Sequence, residues 1–180
     1  MKKVVILGAS GYTGAELVRI LSGHRFFCIN AIVADRKAGQ SYETVFPHLR
    51  HLGLPKLVTF SDVRFEQFDL VFCALPHSKT QEIICKLPNS LRIIDLSADF
   101  RLANEKEYEK WYGKPHVAPE VQKEAVYGLT EFYREKIRLA RLVACTGCNS
   151  AAGLFPLLPL VRKSIIDPIN IIVDLATGVS

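Results

Sequence analysis

The chain has no apolar run approaching the roughly 18 residues that a membrane-spanning helix requires. Its amino terminus also lacks the build of a secretory signal. Met1-Lys2-Lys3 leads straight into Val4-Val5-Ile6-Leu7, and the apolar stretch stops at Gly8 without a cleavage site. The sequence reads as soluble and cytoplasmic, and only a removed leader would allow a plastid location. A disulfide framework is missing too. Cys28, Cys73, Cys85, Cys145 and Cys148 are odd in number and widely spaced, which points to a reducing compartment. Cys28 and Cys73 lie in strand-like apolar runs and read as buried hydrophobes, as does Cys145 at the end of another. No second Cys or His pair with ligand spacing accompanies Cys145-x-x-Cys148, so no metal is expected. Charge of one sign is scarce. The net charge of +5 comes from Lys and Arg scattered singly or in pairs among acids, with none of the aromatic-interleaved basic stripe of a nucleic-acid binder. A small anionic ligand fits that balance. Repeats, low-complexity tracts and an obvious flexible linker are absent.

What is present is core material: 49% of 180 residues are hydrophobic, enough for one well-buried domain and the start of a second. Lys3 to Leu7 is a β-branched run of the kind buried on both faces of a parallel sheet. A helix is expected from about Thr13 to Ser22, with Leu17, Ile20 and Leu21 on one side and Gly23 as its stop. Cys28 to Ala34 then closes a βαβ unit. Further strands are expected at Asp69 to Leu75, Leu91 to Leu96, Arg141 to Ala144 and Ile169 to Leu175. Helices are expected at Thr80 to Leu87, Asn104 to Tyr112 and Glu131 to Ala140. The alternation predicts an α/β fold with a doubly wound parallel sheet. The apolar run at 169–175 needs neighbours the remaining sequence hardly supplies, so the chain reads as a fragment.

Three motifs carry chemistry. Gly8-Ala9-Ser10-Gly11-Tyr12-Thr13-Gly14 lies between the first strand and the first helix. Glycines there permit a tight turn and the close approach of a pyrophosphate to amides at a helix amino terminus. At the end of the second strand, Asp35 by itself would suggest a ribose contact and NAD. Arg36 and Lys37 after it favour a 2′-phosphate, hence NADP. The third motif is Ala144-Cys145-Thr146-Gly147-Cys148-Asn149-Ser150, where a strand ends and a helix begins just after Cys148. A helix amino terminus favours thiolate, which makes Cys148 a nucleophile for thiohemiacetal or thioester chemistry beside a nicotinamide. Two strand ends add polar groups: Leu75-Pro76-His77-Ser78 at a cofactor edge, and Asp95-Leu96-Ser97-Ala98-Asp99-Phe100-Arg101. In the latter, Arg101 is available for a carboxylate or phosphate, although the stretch also reads as a turn closed by Asx bonds. A short-chain dehydrogenase would need Tyr-x-x-x-Lys. Tyr108, Tyr112, Tyr127 and Tyr133 are followed at that spacing by Tyr112, His116, Glu131 and Ile137, so the pair is absent.

Taken together, from about Lys3 to Ser180, these stretches resemble the N-acetyl-gamma-glutamyl-phosphate reductases. The glycine loop, Ala34 to Gln40, Phe46-Pro47-His48-Leu49, Leu75-Pro76-His77, the 95–101 stretch and Tyr127-Gly128-Leu129 occur in the family's order. The resemblance implies a Rossmann-type NADP-binding domain over residues 1–147, with the start of an α+β catalytic and dimerisation domain at 148–180. It implies reduction of an acyl phosphate to a semialdehyde with NADPH and release of phosphate, through a thioester on Cys148. The cofactor would be held by Gly8, Ser10, Gly11, Tyr12, Thr13, Gly14, Arg36, Lys37, Leu75, Pro76 and His77. Substrate contacts would fall to Ser97, Asp99, Arg101 and Asn149, and full-length members would be homo-oligomers. Departures stand beside these matches. The family's Asn-Pro-Gly-Cys with a following aromatic is Cys145-Thr146-Gly147-Cys148-Asn149 here, and a lysine near the end is Ala176. All five histidines precede Cys148, so a general acid/base from the second domain is missing. The chain alone is accordingly expected to bind NADP and turn over little substrate. The competing expectation is a truncated or degenerate, non-catalytic NADP-binding module.

Overall fold

The computed structural model describes residues 1–178 and divides into two compact units, Met1–Cys145 and Thr146–Ser180. The first is built on six strands: β1 (Lys2–Leu7), β2 (Phe27–Val33), β3 (Leu70–Cys73), β4 (Arg92–Asp95), β5 (Ala125–Gly128) and β6 (Leu142–Cys145). They form one sheet in the order β2-β1-β3-β4-β6-β5, and every pairing is parallel. This is the doubly wound α/β sheet that the sequence leads one to expect. Six helices accompany it: α1 (Tyr12–Ser22), α2 (Tyr42–Val45), α3 (Thr80–Ile84), α4 (Glu105–Tyr112), α5 (Pro119–Gln122) and α6 (Thr130–Leu139). In the second unit, α7 spans Cys148–Arg162.

The core follows from the period of two along buried parallel strands. Val5 and Leu7 face one side of the sheet with Val71, Cys73, Ile93 and Leu142. Val4 and Ile6 face the other with Leu70 and Phe72, beneath Ala15, Val18 and Leu21 of α1. Complete burial of one Val or Leu side chain is worth about 2 kcal/mol, so the fully buried run Val4–Leu7 anchors the sheet. Ile20, expected on the buried side of α1, is 56% exposed, because it lies beyond the stripe set by Val18 and Leu21.

One expected strand is missing. Ile169–Leu175 forms no strand, and Ile172 is 93% exposed. An apolar run becomes a strand only where a neighbour completes its ladder, and the second unit contains no strand among its described residues. Conversely, β5 at the sheet edge has no apolar run to announce it: Ala-Val-Tyr-Gly is half-buried throughout. Cys73 is buried as expected, but Cys28 and Cys145 are only partly so. No described helix is long and apolar enough to cross a membrane.

Candidate active site

Strand order reverses direction between β1, whose next strand lies on one side, and β3, which lies on the other. At such a switch point the loops leaving the carboxyl ends diverge and open a crevice. A cleft of about 810 Å³ lies there, lined by Gly8, Ser10, Gly11 and Thr13 after β1, and by Ala34, Asp35 and Arg36 after β2. Ala74, Leu75, Pro76, His77 and Lys79 after β3, with Leu96 after β4, complete its wall.

Each glycine of the first loop has a separate reason. Gly8 sits at φ +79°, and a Cβ on it would come within 2.3 Å of the Ala74 carbonyl oxygen on the neighbouring strand end. Gly14 lets α1 seat against the loop, since a Cβ there would lie 2.4 Å from the Gly8 carbonyl oxygen. Gly11 has no such constraint: its Cβ would meet only the Gly8 oxygen, at 3.6 Å. It occupies the N-cap of α1, where no side chain bonds the first-turn amides. Those amides are donors the helix leaves unpaired, at the positive end of its dipole, an arrangement that suits an anion. The rest of the loop is pinned. Gly8 and Ala9 amides both donate to the Val33 carbonyl, each at 3.0 Å. The buried Tyr42 hydroxyl donates to the Ala9 carbonyl at 2.9 Å, and burial pushes its phenol up to about 12. Of the other residues assigned to cofactor, Tyr12 is 76% exposed, and neither it nor Lys37 lines the cleft.

The stretch 95–101 turns inward. Ser97 donates to Asp95 twice, from its amide at 3.0 Å and its hydroxyl at 2.7 Å. Asp99, fully buried, accepts from the Ser78 amide at 2.7 Å, the Thr80 amide at 3.0 Å and the Tyr108 hydroxyl at 3.0 Å. Its carbonyl accepts from His116 Nε2 at 3.0 Å, while His116 Nδ1 accepts from the Ala118 amide. Burial, reinforced by the Asp99 charge, pushes the Tyr108 phenol up to about 12. Arg101 donates from Nε to the Cys145 carbonyl at 2.7 Å and from Nη2 to the Leu96 carbonyl at 3.0 Å, clamping the ends of β6 and β4. Ser97, Asp99 and Arg101 thus bond within the first unit.

This turn also builds part of the cleft. The Ala98 amide donates to His77 Nδ1 at 2.9 Å, so the ring keeps Nε2–H as a donor on the cleft wall. Ser78, at φ +66°, is held in that left-handed turn by its bond to Asp99. Burial pushes the Asp95 carboxyl up to about 6, against the pull of the Ser97 bonds. The Cys145 thiol is pushed up to about 11, again chiefly by burial. Sequence reasoning missed Lys79, Tyr108 and His116. None belongs to a spacing pattern: Lys79 lines the cleft after β3, and Tyr108 and His116 bond to Asp99, 9 and 17 residues away.

In the second unit, α7 begins at Cys148, with Gly147 as an N-cap that supplies no side-chain bond. Cys148 is exposed, and its thiol donates weakly to the Asn149 side-chain oxygen at 3.8 Å.

Comparison with known proteins agrees with this architecture. The semialdehyde dehydrogenase NAD-binding domain model matches residues 3–140. The chain is 61% identical to an N-acetyl-gamma-glutamyl-phosphate reductase of Paracoccus denitrificans, over 99% of this chain and 52% of that protein. It is 57% identical to the same-named protein of Rhodobacter capsulatus, again over 99% of this chain and 52% of the relative. The chain therefore spans about half the length of the curated relatives it matches, which are bacterial and give no support to a plastid location. Among solved structures, aspartate semialdehyde dehydrogenase with NADP from Candida albicans superposes with a TM-score of 0.62 at 20% identity, covering 91% of this chain and 47% of that one. The Vibrio cholerae aspartate semialdehyde dehydrogenase II complexed with ASA gives 0.59 at 17% identity, over 90% and 47%. At such identities these two speak for the fold alone. With the family model covering residues 3–140 of the 180, the chain belongs to the semialdehyde dehydrogenase family.

Proposed function

We propose that the chain binds NADPH across the carboxyl edge of its sheet and supplies the nucleophile that accepts an acyl group from an acyl phosphate, as the names of its relatives suggest. The observation that carries the reading is the amino terminus of α1, free of capping side chains, beside a cleft that Arg36 and Lys79 also line. Pyrophosphate oxygens would be received by first-turn amides of α1, and a 2′-phosphate by Arg36, with Lys37 close in sequence. His77 would offer Nε2–H to the cofactor. When bound, the cofactor supplies a hydride.

Cys148 carries the covalent step. Its thiolate attacks the acyl carbon, the carbon–oxygen bond to phosphate breaks, and inorganic phosphate leaves with that electron pair. The resulting thioester holds the acyl group on Sγ. Amides in the first turn of α7 would stabilise the oxyanion of the tetrahedral state. On reduction of the thioester the carbon–sulfur bond would break, its electron pair returning to Cys148 Sγ as thiolate while the aldehyde leaves. N-acetyl-gamma-glutamyl phosphate is the proposed substrate. Asn149, adjacent to the nucleophile, is its proposed contact in the second unit, and full-length relatives would act as homo-oligomers.

A single-turnover experiment tests this without requiring hydride transfer. Incubated with the acyl phosphate, the protein should release about one phosphate per chain and gain the acyl mass on Cys148. Cys148→Ser should release it at least about 100-fold more slowly. Phosphate release unaffected by Cys148→Ser would end the nucleophile assignment. No release at all, with NADPH still bound, would leave the non-catalytic nucleotide module as the function.

A further inference from the structure

We propose that Asp35 is a positioning residue that braces the turn after β2 and leaves Arg36 to read the 2′-phosphate, rather than an acceptor for the cofactor's ribose. This deepens the NADPH reading above and rests on it. An acidic side chain at the end of the second strand ordinarily accepts from ribose hydroxyls and repels a phosphate placed there. Asp35 stands at that position and lines the cleft, so the residue taken by itself argues for the unphosphorylated dinucleotide. Its carboxylate, however, is engaged elsewhere. Oδ1 accepts from the backbone amide of Phe60 at 2.8 Å, a residue 25 positions further along. That amide opens the short 3-10 turn Phe60–Asp62, so the bond satisfies one of the donors a helical turn leaves orphaned.

The amide is a fixed partner. The Phe60 ring packs on the buried ring of Phe65, with centroids 4.8 Å apart, at the margin of the core. The two segments are also stitched by backbone. Ala34 donates to Val58 at 3.1 Å and Val58 to Ile32 at 3.0 Å. Gly39 donates to Leu57 at 2.7 Å and Leu57 to Gln40 at 3.0 Å. Between those anchors, Asp35, Arg36 and Lys37 form a single 3-10 turn. Asp35 is the one side chain of the three tied across to the neighbouring segment. Arg36 lines the cleft, and among the described residues its guanidinium has no hydrogen-bonding or ionic partner. A carboxylate drawn onto a backbone amide loses part of its capacity for a ribose hydroxyl, and its fixed place determines where the next side chain points. The guanidinium that follows is then the group of matching charge and fork geometry for a phosphate dianion.

The test is the ratio of NADPH to NADH dissociation constants, from fluorescence titration of the protein and three variants, with thermal unfolding alongside. Wild type should bind NADPH tighter. A preference for NADH would refute the cofactor reading itself, whatever Asp35 does. Arg36→Ala should weaken NADPH roughly 10- to 100-fold, the worth of one or two charge-assisted bonds, and leave NADH within about threefold. Asp35→Asn keeps the oxygen that accepts from Phe60, so the ratio should move by less than about fivefold. Asp35→Ala removes the brace and should weaken NADPH about tenfold with little change for NADH. If Asp35→Asn shifts the ratio by more than that fivefold margin, or if Asp35→Ala weakens NADH more than NADPH, the carboxylate acts on the ribose and the inference is overturned.

Discussion

The loops after β1 and β4 leave the same edge of the same sheet and use it in opposite ways. The first, residues 8–14, spends glycines to bring its backbone up to the cleft, and leaves the first amides of α1 without capping side chains. The second, residues 95–101, has none of its three acidic and hydroxyl side chains exposed and closes them on one another or on neighbouring turns. One loop leaves donors open at the cleft, and the other satisfies its polar groups within the fold. A polar loop at a strand end is therefore no evidence of ligand contact until the destination of its donors and acceptors is known.

The largest effect should come from damage to the open loop. Gly8→Ala needs a positive φ and meets a backbone oxygen that cannot swing away. A loss of at least about 3 kcal/mol is expected in urea unfolding. A loss under about 1 kcal/mol would mean that the loop yields easily and that the contrast with the inward turn is overstated. Second is Asp99→Ala, which removes the shared acceptor of two amides and a phenol. Each buried donor left unpaired costs about 1–3 kcal/mol, and partial relaxation should hold the total near 3 kcal/mol. NADPH affinity should fall with it, since the Ser78 turn beside His77 loses its anchor. Unchanged stability would show that the inward turn is not held by Asp99.

The smallest effect concerns pH. The Asp95 carboxyl is raised from its ordinary 3.8 to about 6, so the native state holds a proton in that window that the unfolded chain has released. Its contribution to stability therefore declines as pH rises from about 4 to about 6 and stays low above that. A shift of that size corresponds to at most about 3 kcal/mol. Asp95→Asn keeps an acceptor for Ser97 and removes the titration, so the difference between variant and wild type should grow in the variant's favour across those pH values. The depressed surface carboxylates Glu16, Asp62 and Asp69 act with the opposite sign and cancel in that difference. A flat difference would place the Asp95 charge in contact with solvent.

The open loop was legible from sequence because its signal is local: a β-branched run, three glycines at fixed spacing and an amphipathic stretch of about ten residues. The same pattern located β1, α1 and β2 to within a residue or two. The inward turn was not legible in this way. Asp-Leu-Ser-Ala-Asp-Phe-Arg carries identical chemistry whether it faces a ligand or Ser78, and its partners lie as far as 44 residues away, as for Arg101 and Cys145. The same limit hid the bond from Phe60 to Asp35. It also explains both errors in strand assignment, since Ile169–Leu175 has the composition of a strand without a neighbour, and β5 has the neighbour without the composition.

The strand order also governs when the binding crevice can exist during synthesis. Its two walls meet where Leu7 lies in register with Cys73, so the ribosome must deliver more than 60 residues beyond Leu7 before β1 gains its second neighbour. Until then Val4 to Leu7 pair only with β2 and leave one edge exposed. A nascent chain paused before residue 70 would therefore have the glycine loop but no far wall, and dinucleotide could stabilise it only after β3 arrives.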